Sequence, residues 1–144
     1  MFKRLILLSI LFISCSSYQT QYEEQVVTAH QDFFGLEFST NPSDISSIIV
    51  KVKTECKYIQ DEIDIHNEDN LSLEWVIDFH YITLRNTDKS DFEDSTGARE
   101  RLEKTPEQVQ EYMFMLYKYC NFEDVINDNW ISLEKREEGF RNYS

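Results

Sequence analysis

The chain has 144 residues, and its 27 aspartates and glutamates outnumber its 14 lysines and arginines, which gives a formal net charge of −13. A chain this acidic should bind no nucleic acid, because tracking a phosphate backbone requires clustered basic residues that release counterions. Charge alone should not draw it to an anionic membrane either. Apolar residues make up 41% of the chain and aromatic residues 14%, which is enough for one hydrophobic core and argues against disorder.

The beginning of the chain has the features of an export signal. Lys3 and Arg4 precede an apolar run that extends to Ile13 and that only Ser9 interrupts. A helix that spans a bilayer needs about 20 apolar residues, so this shorter run is typical of a signal peptide. The predicted organisation is a signal peptide (1–14), a short tether (15–21) and one acidic globular domain (22–144).

The end of the apolar run, Phe12-Ile13-Ser14-Cys15, resembles the lipobox of bacterial lipoproteins, in which a small residue directly precedes a cysteine. Phe12 stands where that family usually has leucine. The resemblance implies that Cys15 receives a diacylglyceryl thioether and becomes the N-terminus of a membrane-anchored protein, since several acyl chains anchor stably. Ser16 follows the cysteine where an aspartate would indicate retention, which implies export to the outer membrane in two-membrane bacteria. The alternative is ordinary secretion with cleavage after Ser16.

Glycine and proline are scarce, so we expect few and long elements. The first predicted helix covers 18–34 and ends at Gly35. The second begins at Asn41-Pro42, an N-cap residue followed by a proline in the first turn. Its apolar residues share one helix face: Ile45, Ile48, Ile49, Val52, Cys56, Ile59 and Ile63. The alternating β-branched residues of 48–53 allow a strand as the alternative.

The third predicted element, Leu71 to Leu84, is ambiguous between the two periodicities. Its apolar residues alternate as they would in a strand, but they also form one helical face, and Asn70 could cap such a helix. We favour the helix. Residues 86–104 are polar and predict a long loop that could contain a short helix from Ala98.

The fourth predicted helix has the clearest start, because Thr105 and Gln108 have the spacing of a capping box with Pro106 in the first turn. The methionine and aromatic residues that follow share one face, and we interpret them as core.

The fifth predicted helix runs from Asn121 to about Glu138 and ends at Gly139. The fold class is therefore mainly α, a small helical bundle of about four to five helices. An α+β domain with strands near 48–53 and 71–84 is the alternative.

The cysteines suggest one crosslink. If Cys15 is lipidated, Cys56 and Cys120 remain as an even pair in an oxidising compartment. Each lies on the apolar face of its predicted helix, so both should point into the same core. We expect a disulfide between them, with two buried, inert thiols as the alternative. Neither belongs to a Cys-x-x-Cys pair, so a catalytic role is not indicated.

Recognisable motifs for catalysis, metals or cofactors are absent from the sequence. The three histidines have none of the spacings of zinc sites, and 61–70 lacks the glycine and the closing glutamate of a calcium-binding loop. No nucleophile elbow, metalloprotease motif or glycine-rich phosphate loop occurs. We therefore expect no enzyme activity, no metal and no cofactor.

The charge distribution between Tyr58 and Leu84 is the main functional signal in the domain. No lysine or arginine occurs in this stretch, and Tyr58, Trp75, Phe79 and Tyr81 are interleaved with acidic residues. The acidic residues are Asp61, Glu62, Asp64, Glu68, Asp69, Glu74 and Asp78. One interpretation is a solvated acidic face over core aromatics. The functional interpretation is a docking surface for a protein with a basic surface, because the negative potential would steer association.

Together these features predict a lipid-anchored protein of the bacterial cell envelope that acts by protein–protein binding, as an accessory subunit or adaptor of an envelope complex. An immunity protein that neutralises a basic toxin is one alternative. A small-ligand carrier or an enzyme is another, and it would require a pocket with convergent polar groups.

Overall fold

The structure is a computed structural model that describes residues 18–87 and 104–143. In these two segments a 3-10 turn at Thr20–Tyr22 is followed by six α-helices. These are α1 (Glu23–Phe33), α2 (Pro42–Glu68), α3 (Glu74–Arg85), α4 (Pro106–Tyr119), α5 (Glu123–Asn129) and α6 (Leu133–Tyr143). The mainly α prediction is confirmed, because neither 48–53 nor 71–84 forms a strand.

Two predicted helix starts are confirmed by their caps. The Asn41 side-chain oxygen accepts a hydrogen bond from the Ser43 backbone N–H at 2.9 Å. At the start of α4, Thr105 and Gln108 exchange both bonds of a capping box, at 3.2 and 2.9 Å. These bonds satisfy N–H groups that no helical carbonyl reaches, and they are local enough to be predicted from the sequence.

The ambiguous third element is the helix α3. Its apolar residues follow the helical period, and the face that they form is buried: Val76, Ile77, His80, Tyr81 and Leu84. The predicted cap at Asn70 is wrong. Asn70 has a φ of 55° and belongs to the turn between α2 and α3, while the Ser72 hydroxyl accepts from the Glu74 N–H at 3.2 Å.

The prediction of one helix from Asn121 to Glu138 is wrong, because the chain forms the two helices α5 and α6 there. Trp130 has an extended backbone, with φ −79° and ψ 123°. Its ring packs against Phe114 and Tyr81, at centroid distances of 5.2 and 6.2 Å. Ser132 directly precedes α6, and its carbonyl accepts from the Arg136 N–H at 3.0 Å.

Gly139 does not end the last helix as predicted but lies inside α6, which continues to Tyr143. The predicted signal peptide, Cys15 and most of the predicted loop, including the possible helix from Ala98, lie outside the described residues.

The core is built around α4, which packs against each of the other five helices. The interpretation of its methionine and aromatic stripe as core is confirmed, since Tyr112, Met113, Leu116 and Tyr117 are all buried. A disulfide joins Cys56 of α2 to Cys120 at the end of α4, with a Cα–Cα distance of 5.3 Å. The bridge therefore ties the longest helix to the central one.

Candidate functional site: a groove between α2 and α3

A groove of about 580 Å³ lies between the C-terminal half of α2 and the first turns of α3. It forms because the short turn after Glu68 sends the chain back along α2, so that α2 and α3 meet through their buried faces. The residues at the edge of each buried face are exposed to solvent and line the groove. We call this the aromatic groove, and it is lined by Tyr58, Glu62, His66, Leu71, Ser72, Trp75, Val76 and Phe79.

Four of the five apolar side chains that line the aromatic groove are exposed far more than those of the core, while the fifth, Val76, is buried. The exposed fraction is 58% for Trp75, 54% for Leu71, 45% for Phe79 and 44% for Tyr58. Five of the seven exposed large hydrophobic residues in the described segments fall between 58 and 79. Single exposed hydrophobics are ordinary, whereas a contiguous patch rimmed by polar residues is typical of an interaction site.

The interpretation of the interleaved aromatics as core is wrong for three of the four. Tyr81 is fully buried, and its hydroxyl donates to the Glu137 carboxylate at 2.7 Å. Tyr58, Trp75 and Phe79 instead face the groove. Trp75 and Phe79 are four residues apart on α3 and so share a face, whereas Tyr81 lies on the opposite side.

The predicted acidic residues do not all converge on the groove. Glu62 lines it, and its carbonyl accepts a hydrogen bond from His66 Nδ1 at 2.8 Å. Asp69 lies in the turn that joins the two helices, and Glu74 begins α3, where a negative charge is favoured by the helix dipole. Burial and, as a smaller effect, the nearby Glu62 carboxylate raise the pKa of Tyr58. The Tyr58 hydroxyl therefore stays protonated and can donate a hydrogen bond.

Three of the seven acids lie on a different stripe of α2. Asp61 accepts from Lys57 Nζ at 2.6 Å, one helical turn away, and Asp64 accepts from Gln60 Nε2 at 2.8 Å. Glu68 continues this stripe at the end of the helix. These side chains contact their own helix or solvent, and none of them lines the aromatic groove.

Asp78 has a role inside the fold. It forms an ion pair with Arg136 of α6, whose side chain is fully buried. Arg136 also lies over the Trp130 ring, with its guanidinium carbon 4.8 Å from the ring centroid, and donates to the Asn129 carbonyl at 3.2 Å. A buried cation needs an anionic partner, so Asp78 serves the packing of α6 against α3.

His66 and Leu71 are groove residues that the acidic and aromatic composition does not single out. The sequence does contain a pattern that includes them, because two series of residues at four-residue spacing lie along the groove. On α2 this series is Tyr58, Glu62 and His66, and along the turn and α3 it is Leu71, Trp75 and Phe79. Each series borders the buried face of its helix.

Two histidines in the core have strongly lowered pKa values. Burial lowers the pKa of His30 and of His80 to about 4, with the Lys51 charge adding to the effect at His30. Their Nδ1 atoms lie 3.1 Å from the Tyr112 hydroxyl and 3.0 Å from the Tyr117 hydroxyl. Both rings are therefore neutral hydrogen-bonding members of the core at neutral pH.

A second, larger depression of about 690 Å³ lies between α1 and α4. Its apolar floor includes Phe33 and Tyr112, whose rings stack on each other at 4.5 Å and are themselves buried. None of the exposed large hydrophobic residues in the described part of the chain lines it, so it lacks the unsatisfied apolar surface of the aromatic groove.

Among the described histidines, cysteines and acids, no group of three is placed to hold a metal ion. None of the helices in 18–87 or 104–143 is long and apolar enough to cross a bilayer. No family model matches the chain, and no curated protein or solved structure matches it either.

Proposed function

We propose that this chain is a lipid-anchored protein of the bacterial cell envelope that binds another protein through the aromatic groove, as an accessory subunit or adaptor. The observation that carries this proposal is the cluster of exposed aromatic and aliphatic side chains along the groove, among which Trp75 is 58% exposed. Tryptophan and tyrosine dominate the energetics of protein interfaces when a partner covers them.

The charge around the groove favours a partner with basic residues. Glu62 lines the groove, Asp69 and Glu74 lie at the turn beside it, and no lysine or arginine occurs between Tyr58 and Leu84. A partner segment with an apolar side chain for the groove and flanking lysines or arginines would complement both features. The charges would then act mainly on the association rate, and the apolar contacts on the dissociation rate.

The anchor in this proposal is the lipid on Cys15, in a signal that resembles the lipobox, and Ser16 after it favours the outer membrane. Cys15→Ser should abolish labelling by a clickable fatty acid and release the protein from membranes. If labelling of the Cys15→Ser variant were unchanged, the lipoprotein proposal would be wrong.

Co-purification in mild detergent from the native host tests the binding proposal. The wild type is compared with Trp75→Ala and with Phe38→Ala, a matched control because Phe38 is 68% exposed but lies outside the groove. We expect a basic protein to co-purify with the wild type and the Phe38→Ala variant but not with the Trp75→Ala variant. Equal recovery with all three would place the binding site elsewhere.

The identity of the captured protein separates two envelope roles for the same groove. A resident subunit of an envelope complex supports the adaptor role. A basic toxin whose activity the wild-type domain inhibits, and the Trp75→Ala variant does not, would support an immunity protein.

A further inference from the structure

The path of the chain into the domain restricts how the domain can sit on a membrane. The Tyr18 ring is stacked on the Tyr119 ring at 5.8 Å, and the Gln19 N–H donates to the Tyr119 carbonyl at 3.0 Å. The chain is therefore already fixed to the C-terminal end of α4 at Tyr18. Only three Cα–Cα steps separate Tyr18 from Cys15, a span of at most about 11 Å.

Lysine side chains gather at this entry point, although the chain as a whole is strongly acidic. Lys53 Nζ lies 6.0 Å from the centroid of the Tyr18 ring, and Lys118 Nζ lies 5.0 Å from that of Tyr22. Lys57 follows Lys53 by one turn of α2 and so lies on the same side of the helix. Acidic residues partly balance these charges. Asp61 forms an ion pair with Lys57, and the Glu123 Oε1 atom lies 3.9 Å from Lys118 Nζ.

We propose that this surface, which we call the tether face (Tyr18, Tyr22, Lys53 and Lys118), lies against the phospholipid headgroups of the bilayer that holds the acyl chains on Cys15. The proposal rests on the proposed lipidation of Cys15. The short span keeps Tyr18 within about 11 Å of Cys15, so the side of the domain opposite Tyr18 cannot face the bilayer.

The chemistry of the tether face suits a headgroup layer. Tyrosine rings favour the boundary between water and lipid, where the ring contacts partly apolar surroundings and the hydroxyl is hydrated. Lysines at such a boundary keep the ammonium group near phosphates while the alkyl stem contacts apolar surface. The tether makes these contacts intramolecular, so weak contacts suffice to orient a domain whose net charge would not hold it at the membrane.

This orientation leaves the aromatic groove accessible. Tyr58 lies about 100° around α2 from Lys57 and about 140° from Lys53. The groove therefore faces along the membrane surface and not into the bilayer. A second envelope protein could reach it from there.

Lysine footprinting by mass spectrometry tests the orientation. The lipidated protein in vesicles of phosphatidylethanolamine and phosphatidylglycerol is treated with an amine-reactive ester, and the Cys15→Ser protein is treated in the presence of the same vesicles. Lys51 is the matched internal control, because it is exposed and lies two residues before Lys53, about 160° away around α2. Vesicle flotation of both proteins is measured in parallel.

We expect Lys53 and Lys118 to lose reactivity severalfold in the lipidated, floating protein, while Lys51 and Lys135, an exposed residue of α6, keep theirs. In the Cys15→Ser protein the four lysines should react as they do without vesicles. Equal protection of Lys51 and Lys53, or protection of Lys135 alone, in a floating protein would overturn the orientation while leaving the anchor intact. Failure of the protein to acquire lipid and to float would overturn the anchor, and with it this inference.

Discussion

Aromatic residues lie both on α4 and along the aromatic groove, yet the environments of the two groups are opposite. Tyr112 and Tyr117 are buried, and each hydroxyl lies within hydrogen-bonding distance of a buried histidine. Trp75 and Phe79 are about half exposed. The difference arises from neighbours: α4 is enclosed by the other helices, whereas one flank of α2 and of α3 faces solvent along the groove. Most of the exposed aromatic side chains in the described segments therefore lie along the aromatic groove.

Removal of the crosslink between α2 and α4 should destabilise the core around α4 more than any single substitution in the groove. The Cys56→Ala/Cys120→Ala variant removes a bridge between cysteines 64 residues apart, and the chain-entropy model predicts a loss of about 4 kcal/mol in the free energy of unfolding. Denaturant unfolding of both proteins measures it. Titration of two free thiols in wild-type protein purified without reductant would contradict the bridge.

The buried side of α2 should also give a pH-dependent effect. Burial raises the pKa of Glu55 from 4.5 to about 7, although the hydrogen bond from the Tyr112 hydroxyl, at 3.4 Å, opposes this shift. The native state therefore holds a proton that the unfolded chain releases above pH 4.5. The stability contributed by Glu55 is full below pH 4.5 and is lost as the pH rises through about 7.

Glu55→Gln removes this titration while keeping an acceptor for Tyr112. Relative to the wild type, the variant should gain up to about 3 kcal/mol in the free energy of unfolding between pH 4.5 and pH 8. The titrations of His30 and His80 are shared by both proteins and cancel in the difference. A difference that does not change with pH would mean that Glu55 is solvated.

Two predicted docking acids should respond differently to loss of charge. Asp78→Asn leaves the buried Arg136 without its carboxylate and should destabilise the domain by about 2 kcal/mol. Asp64→Asn, on the outer stripe of α2, should change stability by less than about 0.5 kcal/mol. Thermal unfolding of the two variants compares them directly, and equal stability would show that the ion pair contributes nothing to the fold.

The most exposed aromatic residue of the groove should contribute little to stability. Trp75→Ala removes a side chain that is 58% exposed, so only its covered part is lost and we expect the free energy of unfolding to fall by about 1 kcal/mol. If Trp75 were one of the core aromatics, its loss would cost about 3 kcal/mol or more. Unfolding measurements on this single variant distinguish the two environments.

Local signals in the sequence predict much of the fold. The Asn41 cap and the Thr105–Gln108 capping box mark helix starts because their hydrogen bonds form within one turn. The break between α5 and α6 has no such local signal, because it depends on Trp130 packing against Phe114 and Tyr81, which are distant in sequence.

The candidate site is predictable only in part, for the same physical reason. Acids and aromatics distinguish the stretch from Tyr58 to Leu84, and these are features of local composition. Whether a given aromatic is buried depends on which helix covers it, so Tyr81 and Phe79, two residues apart, have opposite environments. Likewise, Asp78 differs from the groove acids in having an ion-pair partner. It has that partner only because α6 packs against α3 and places Arg136 beside it.

Photo-crosslinking in the native host tests the aromatic groove most directly as the site of partner binding. A benzophenone analogue of phenylalanine replaces Phe79 in one strain and Phe38, the exposed control outside the groove, in another. We expect one discrete adduct of larger mass from position 79, absent from position 38 and weakened when Glu62→Lys is added. No adduct at position 79, or the same adduct at both positions, would contradict binding through the groove.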